Sequence, residues 1–240
     1  TADGTITIQD GTTSTPTVRV TGVTGNGSYT ISIAAGTSTD GTNPDLGAGP
    51  SSSVTVDNAA PTVTIGTPSL TTVNSSSNVD FPITYTGAST INLLNTNVTI
   101  NHSGTADGTI TIQDGTTSTP TVRVTGVTGN GSYTISIAAG TSTDGLNPDL
   151  GAGPSSSVTV DNAAPTVTIG TPSPTTANSS TNVDFPITYT GASTINLLNT
   201  NVTINHSGTA GGTITIQNGT TSSPTVRVTG VTGNGSYTIS

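Results

Sequence analysis

The chain repeats itself. Thr1-Ala2-Asp3-Gly4-Thr5-Ile6-Thr7-Ile8 returns at Thr105, and again at Thr209 as Thr-Ala-Gly-Gly-Thr-Ile-Thr-Ile, a spacing of 104 residues. Residues 1–104 and 105–208 differ at four positions only: Thr42/Leu146, Leu70/Pro174, Val73/Ala177 and Ser77/Thr181. A unit of this length exceeds one turn of a solenoid and fits an autonomous domain large enough to bury its own core. The third copy starts at Thr209 and runs for 32 residues to Ser240, in the middle of a strand-like run. The ends therefore fall inside repeat units, which reads as a segment of a longer array. The units are expected at residues 1–57 (the C-terminal part of a repeat), 58–161 (a complete repeat) and 162–240 (a repeat lacking its last strand).

Within one unit, short segments alternate apolar and polar residues with period two, the signature of half-buried strands. Seven follow one another from Thr62: 62–65, 79–86, 97–100, 109–112, 121–124, 133–137 and 158–160. Gly, Pro, Asn, Asp and Ser clusters separate them and supply turn geometry. No segment carries a helical period with caps. Seven antiparallel strands in about 100 residues predict an all-β, immunoglobulin-like sandwich. Tyr133, at the start of the sixth strand, is placed either to form a tyrosine corner or simply to fill the core. Pro82 conflicts with a central strand because it has no N–H to donate, so a bulge or an open edge must face it.

Several function classes drop out on composition. The chain has no Cys, Lys, Glu, Met or Trp; its twelve acidic residues are all Asp and, against three Arg, leave a net charge of −9. No basic patch exists to displace counterions from a nucleic acid. No run is apolar enough to span a membrane as a helix. His102 and its copy His206 stand alone, and no nucleophile elbow, phosphate loop or metal-protease spacing occurs. The segment Gly22–Gly27 is a turn between strands, since no helix follows it. No enzyme is expected.

The stretches Gly36-Thr37-Ser38-Thr39-Asp40-Gly41-Thr42-Asn43, Gly49-Pro50-Ser51 and Thr55 to Ile65 resemble bacterial Ig-like repeats of large secreted adhesins and other cell-surface proteins. The resemblance recurs from Gly140 to Ile169. It departs from the family pattern Asp-x-x-Gly-Asn, because Thr42 and Leu146 stand where the Gly would precede Asn43 and Asn147. The resemblance implies an extracellular structural repeat, in an adhesin, stalk or fibre. Two alternatives stay open: a module that binds glycan or a partner protein with avidity from repetition, and a self-assembling filament.

Alternating strand direction gathers loops at two poles, and a linker sets the pole of one unit against that of the next. At the first junction Asp3, Asn26 and Asp57 are expected to face Asp114, Asp144 and Asp149; at the second, Asp80, Asp107 and Asp161 face Asn218. Asp40 and Asp45 form the corresponding pair of the first partial unit. Carboxylates converging without Lys repel one another, and Ca²⁺, which takes six to eight oxygens, would relieve that. Such sites are similar to the calcium-stiffened junctions of Ig-like adhesin arrays. The competing reading is that Asp here only forms turns. The third copy weakens the metal reading, since Gly211 replaces Asp107 and Asn218 replaces Asp114. The linker Asp57-Asn58-Ala59-Ala60-Pro61 is short, and its Pro holds the preceding residue extended.

Overall fold

The computed structural model describes residues 1–240. It divides into two compact units, Thr1–Asn162 and Ala163–Ser240. The first unit opens with β1 (Asp3–Gln9), β2 (Thr17–Thr24), β3 (Gly27–Tyr29) and β4 (Val54–Val56), which pair only as two ribbons, β1 with β2 and β3 with β4.

The rest of that unit is a complete sandwich. Its strands are β5 (Thr62–Ile65), β6 (Thr72–Val73), β7 (Val79–Thr86), β8 (Thr90–Ile91), β9 (Val98–Gly104), β10 (Asp107–Gln113), β11 (Thr121–Thr128), β12 (Gly131–Ile137), β13 (Ser142–Thr143) and β14 (Val158–Val160). One sheet has the order β10-β11-β7-β5 and the other β6-β14-β12-β9, while β8 and β13 make a small third pairing. All neighbours run antiparallel except β14 and β6, which are parallel. This is the two-sheet arrangement of an Ig-like domain. The inward residues of β7 (Val79, Phe81, Ile83, Tyr85), β11 (Val122, Val124) and β12 (Tyr133, Ile135, Ile137) are all buried in one core cluster. The outward positions between them carry mainly Thr and Ser, as a half-exposed pleated surface favours.

Two local conflicts resolve physically. In β7 the N–H groups of Ile83 and Tyr85 point to the Pro120 and Ser118 carbonyls, so the N of Pro82 points the other way, towards β5. There β5 has already ended: Gly66 donates to the Pro82 carbonyl at 2.7 Å, and the chain then moves off to Ser69. The missing N–H thus falls in the gap between the Gly66 bond to Pro82 and the Ser69 bond to Asp80, and the pairing of Val79–Pro82 with β11 carries no bulge. A bulge does occur between Asp107 and Thr109, at Gly108, where a Cβ would come within 2.6 Å of Val124 Cγ1.

Tyr133 is core. Its ring sits 6.4 Å from that of Phe81, its hydroxyl is buried without a hydrogen-bond partner, and burial pushes its pKa up to about 12. A tyrosine corner would need that hydroxyl bonded to backbone, so it does not form. The third predicted strand starts at Val98 rather than Asn97, which lies in a short 3-10 turn, and continues through exposed His102 to Gly104.

The second unit contains β15 (Thr166–Ile169), β16 (Val183–Thr190), β17 (Ile204–Gly208), β18 (Gly211–Gln217), β19 (Thr225–Thr232) and β20 (Gly235–Ile239). Its four-stranded sheet, β15-β16-β19-β18, repeats the first sheet of the complete sandwich, but opposite it only β17 and β20 pair. Its core is correspondingly smaller, centred on Phe185, Ile187, Val226 and Val228.

Candidate functional site

The acidic residues, the only candidates for site chemistry, separate according to the hydrogen bonds their loops and strands present. Asp80 sits on β7 directly across from Arg123 on β11 and takes a two-pronged ion pair: Nε to Oδ1 at 2.6 Å and Nη2 to Oδ2 at 2.7 Å. The guanidinium holds the Asp80 carboxyl below the usual carboxylate range. Arg227 and Asp184 repeat the pair in the second unit. Asp107 accepts the Gly108 N–H at 2.7 Å, and Asp3 does the same with Gly4, each steadying its bulge. Asp114 adopts a left-handed φ of 54° and offers its carbonyl to the Thr117 N–H and hydroxyl, a turn-forming role that Asn218 fills equally well. Asp161 donates its N–H to the Val73 carbonyl beside β6.

Asp149 is the one buried carboxylate, 1 % exposed. Its Oδ2 accepts the Ser142 N–H, the Ser142 hydroxyl at 3.0 Å and the Thr141 hydroxyl at 3.1 Å, and its Oδ1 accepts the Gly151 N–H at 2.8 Å. Thr141 in turn meets the Tyr85 hydroxyl at 2.6 Å. This network folds residues 140–151 onto β7 and leaves Asp149 no free oxygen. Asp144 organises the tip of the same loop, accepting the Asn147 and Leu146 N–H groups, both at 2.7 Å; these bonds lower its pKa. Asp40 and Asp45 make the equivalent loop bonds near the start of the chain.

Of the eight expected ligands, Asp57 and Asp144 are brought together, through Asn147: its Nδ2 donates to the Asp57 carbonyl at 3.2 Å and to Asp144 Oδ2 at 3.1 Å. The Asp57 carboxylate meanwhile accepts the Ala59 N–H at 3.0 Å. No group of three or more His or Asp side chains assembles into a metal-holding cluster. Asp57 and Asp144 do not by themselves supply the six to eight oxygens that Ca²⁺ takes.

Asparagine clasps that the sequence analysis did not anticipate hold the ends of the repeats. Asn58 donates its N–H to Asn26 Oδ1 at 2.6 Å and its Nδ2 to the Gly25 carbonyl at 2.7 Å. Asn162 repeats both bonds with Asn130 and Gly129, and its Oδ1 also accepts the Ser75 N–H at 2.6 Å. Each clasp ties the second linker residue after the last strand back to the turn before the sixth. The recurrence of Gly-Asn-Gly and Asp-Asn-Ala-Ala-Pro at a fixed distance was the available signal.

No protein-family model and no curated protein matches the sequence. Among solved structures, the chain resembles the Yersinia pseudotuberculosis adhesin InvE at 15 % identity and a TM-score of 0.29, covering 74 % of this chain and 57 % of that one. It also resembles a chimeric titin Z1Z2 carrying a KLER exogenous peptide from decorin, at 14 % identity and a TM-score of 0.24, covering 77 % and 90 % respectively. The chain thus spans little more than half the length of the adhesin structure. The chain's own sheets establish the fold independently of these likenesses: it is all-β, with the strand order of an Ig-like sandwich.

Proposed function

We propose that this chain is a non-enzymatic structural array of Ig-like repeats, displayed outside the cell on an adhesin, stalk or fibre, and that it acts as a spacer. The observation that carries this reading is the recurring asparagine clasp, at Asn58 and again at Asn162, which fixes the start of each linker to the body of the domain before it. A clasped linker five residues long, with Pro at its end, limits bending between neighbours. Near-identical units then repeat the same step, which a distance-setting array needs and an enzyme does not. The polar side chains fit this role, because they are spent on loops, bulges and a cross-strand ion pair rather than gathered around a cleft.

Small-angle scattering on arrays of increasing repeat number tests it. The maximum dimension is expected to rise linearly, by on the order of 30–45 Å per repeat from strand length. Replacing the clasp asparagines by alanine is expected to bend that line over towards the square-root growth of a flexible chain. Square-root growth in the unaltered array would overturn the spacer reading. The calcium-stiffened form of the proposal rests on Asp57 and Asp144, with carbonyls and water making up the remaining ligands. Thermal melts in millimolar CaCl₂ and in EGTA decide it: an upward shift specific to calcium supports a cation at the junction, and coincident melts leave the hydrogen bonds alone to hold it.

A further inference from the structure

The pair Asn-Gly occurs at four places, and at three of them, Asn26, Asn130 and Asn234, it is the same turn into the sixth strand. The fourth, Asn218-Gly219, stands in the hairpin between β18 and β19, where the other copies carry Asp10-Gly11 and Asp114-Gly115. All three copies build one turn there. Its first residue is left-handed, with φ of 51° at Asp10 and 54° at both Asp114 and Asn218, a conformation that Asn and Asp tolerate better than most side chains. The Asn218 carbonyl accepts the Thr221 N–H at 3.0 Å and the Thr221 hydroxyl at 2.9 Å, as the Asp114 carbonyl does with Thr117. The Asn218 side chain is exposed and makes no hydrogen bond. Gly219 follows as the first central residue of the turn, a position whose N–H such a turn leaves unpaired. A Cβ at 219 would come within 2.4 Å of the Leu197 carbonyl oxygen, so packing demands the one residue that leaves its amide nitrogen unshielded. Asn130-Gly131 is the contrasting case. Asn130 Oδ1 accepts the Asn162 N–H at 2.7 Å, and Gly131 lies within β12, opposite Gly104 of β9 on one side and Val160 of β14 on the other.

We propose that Asn218-Gly219 is a site of spontaneous covalent modification, at which asparagine, one of the thermally labile side chains, loses its amide and becomes Asp or iso-aspartate. The Gly219 nitrogen attacks Asn218 Cγ. The N–Cγ bond forms, the Cγ–Nδ2 bond breaks, and ammonia leaves with the Gly219 amide proton. Water then opens the resulting cyclic imide at either carbonyl. Cutting the new bond gives Asp, and cutting the old peptide bond gives iso-aspartate, whose main chain runs through the former side chain. Water is the sole co-reactant. The protein already holds the first product in place: Asp10 and Asp114 occupy the same turn with the same backbone bonds, so Asp is accepted there and adds one negative charge to the net −9. Iso-aspartate lengthens the main chain by one carbon, and would pull the turn away from the Leu197 N–H, which now donates to the Gly219 carbonyl at 2.8 Å. The inference is independent of the spacer reading.

Ageing the full 240-residue chain in mildly alkaline buffer, folded and in parallel in concentrated urea, tests this by peptide mapping with mass spectrometry. In the folded chain Asn218 is expected to convert at least about tenfold faster than Asn130, which reacts only when its strand opens locally. In urea the two sites are expected to react at similar rates. The variant Asn218→Asp should melt at the temperature of the fresh chain and elute on ion exchange with the Asp product of ageing. Equal rates in the folded chain would overturn the assignment of the site. A difference that persists in urea would do the same, since its cause would then lie in local sequence. Asp formed without any iso-aspartate would overturn the imide route, and a lower melting temperature of Asn218→Asp would overturn the claim that the turn accepts either residue.

Discussion

The same aspartate does different work depending on which strands surround it. Asp45 and Asp149 are repeat equivalents, and each gathers the N–H groups of its own loop. Asp149 is sealed beneath Tyr85 and Thr141, while Asp45, in residues 1–57 where no counterpart of β7 covers it, is only half-buried. A turn-forming Asp and a ligand Asp are the same letter at the same spacing, so the sequence could nominate these residues without saying which bonds each would make. Removing the buried carboxylate strands several donors at once. Asp149→Ala is therefore expected to cost about 3 kcal/mol in urea unfolding of the complete repeat, with residues 140–151 exchanging amide hydrogens faster. The half-buried carboxylates set the acid limit instead. Hydrogen bonds from Gly47 and Ser38 bring Asp45 down from 3.8 to about 2, and Asp80, Asp144 and Asp184 are also lowered. Groups with depressed folded pKa values contribute stability above the unfolded pKa and lose it as pH falls through the folded one. The melting temperature is thus expected to hold from neutral pH to about 4 and to fall from there towards pH 2. Asp80→Asn should flatten part of that fall, as read by melts at each pH.

At the scale of elements, alternation revealed the strands that face a core along their whole length, such as β7, β11 and β12. It could not reveal β6, β8 or β13, two-residue strands with no period to detect. Thr72–Val73, for instance, is a strand only through its pairing with Thr159–Val160 of β14. These short elements are consequences of tertiary pairing rather than of local propensity. The turn into β12 is the opposite case, dictated locally. Gly131 has φ of 134°, and a Cβ there would be driven into the Ser103 carbonyl of β9. Gly131→Ala is expected to cost well over about 1 kcal/mol, because the backbone conformation and the space are both refused. By contrast Gly126→Ala, at φ of 58° with open space around it, should show the conformational penalty alone, so that the difference between the two melts isolates the steric part.

Across the whole chain, identical segments end in unequal cores. The complete sandwich closes with Val158 and Val160, each worth about 1.5–3 kcal/mol when fully buried. Residues 163–240 have no strand in that place, and there Val167 and Ile169 are 55 % and 48 % exposed although Val63, the copy of Val167, is buried. The two units are therefore expected to unfold separately, the second at the lower temperature, and calorimetry should resolve two transitions in place of a single cooperative one. The assignment can be made with one residue in two places. Phe81→Ala is expected to remove about 3–5 kcal/mol from the upper transition and leave the lower one in place. Phe185→Ala should do the reverse, and with less stability to lose it is expected to abolish the lower transition near room temperature. A single merged transition that shifts with either variant would mean the two units share one cooperative core, contrary to the separate clusters around Phe81 and Phe185.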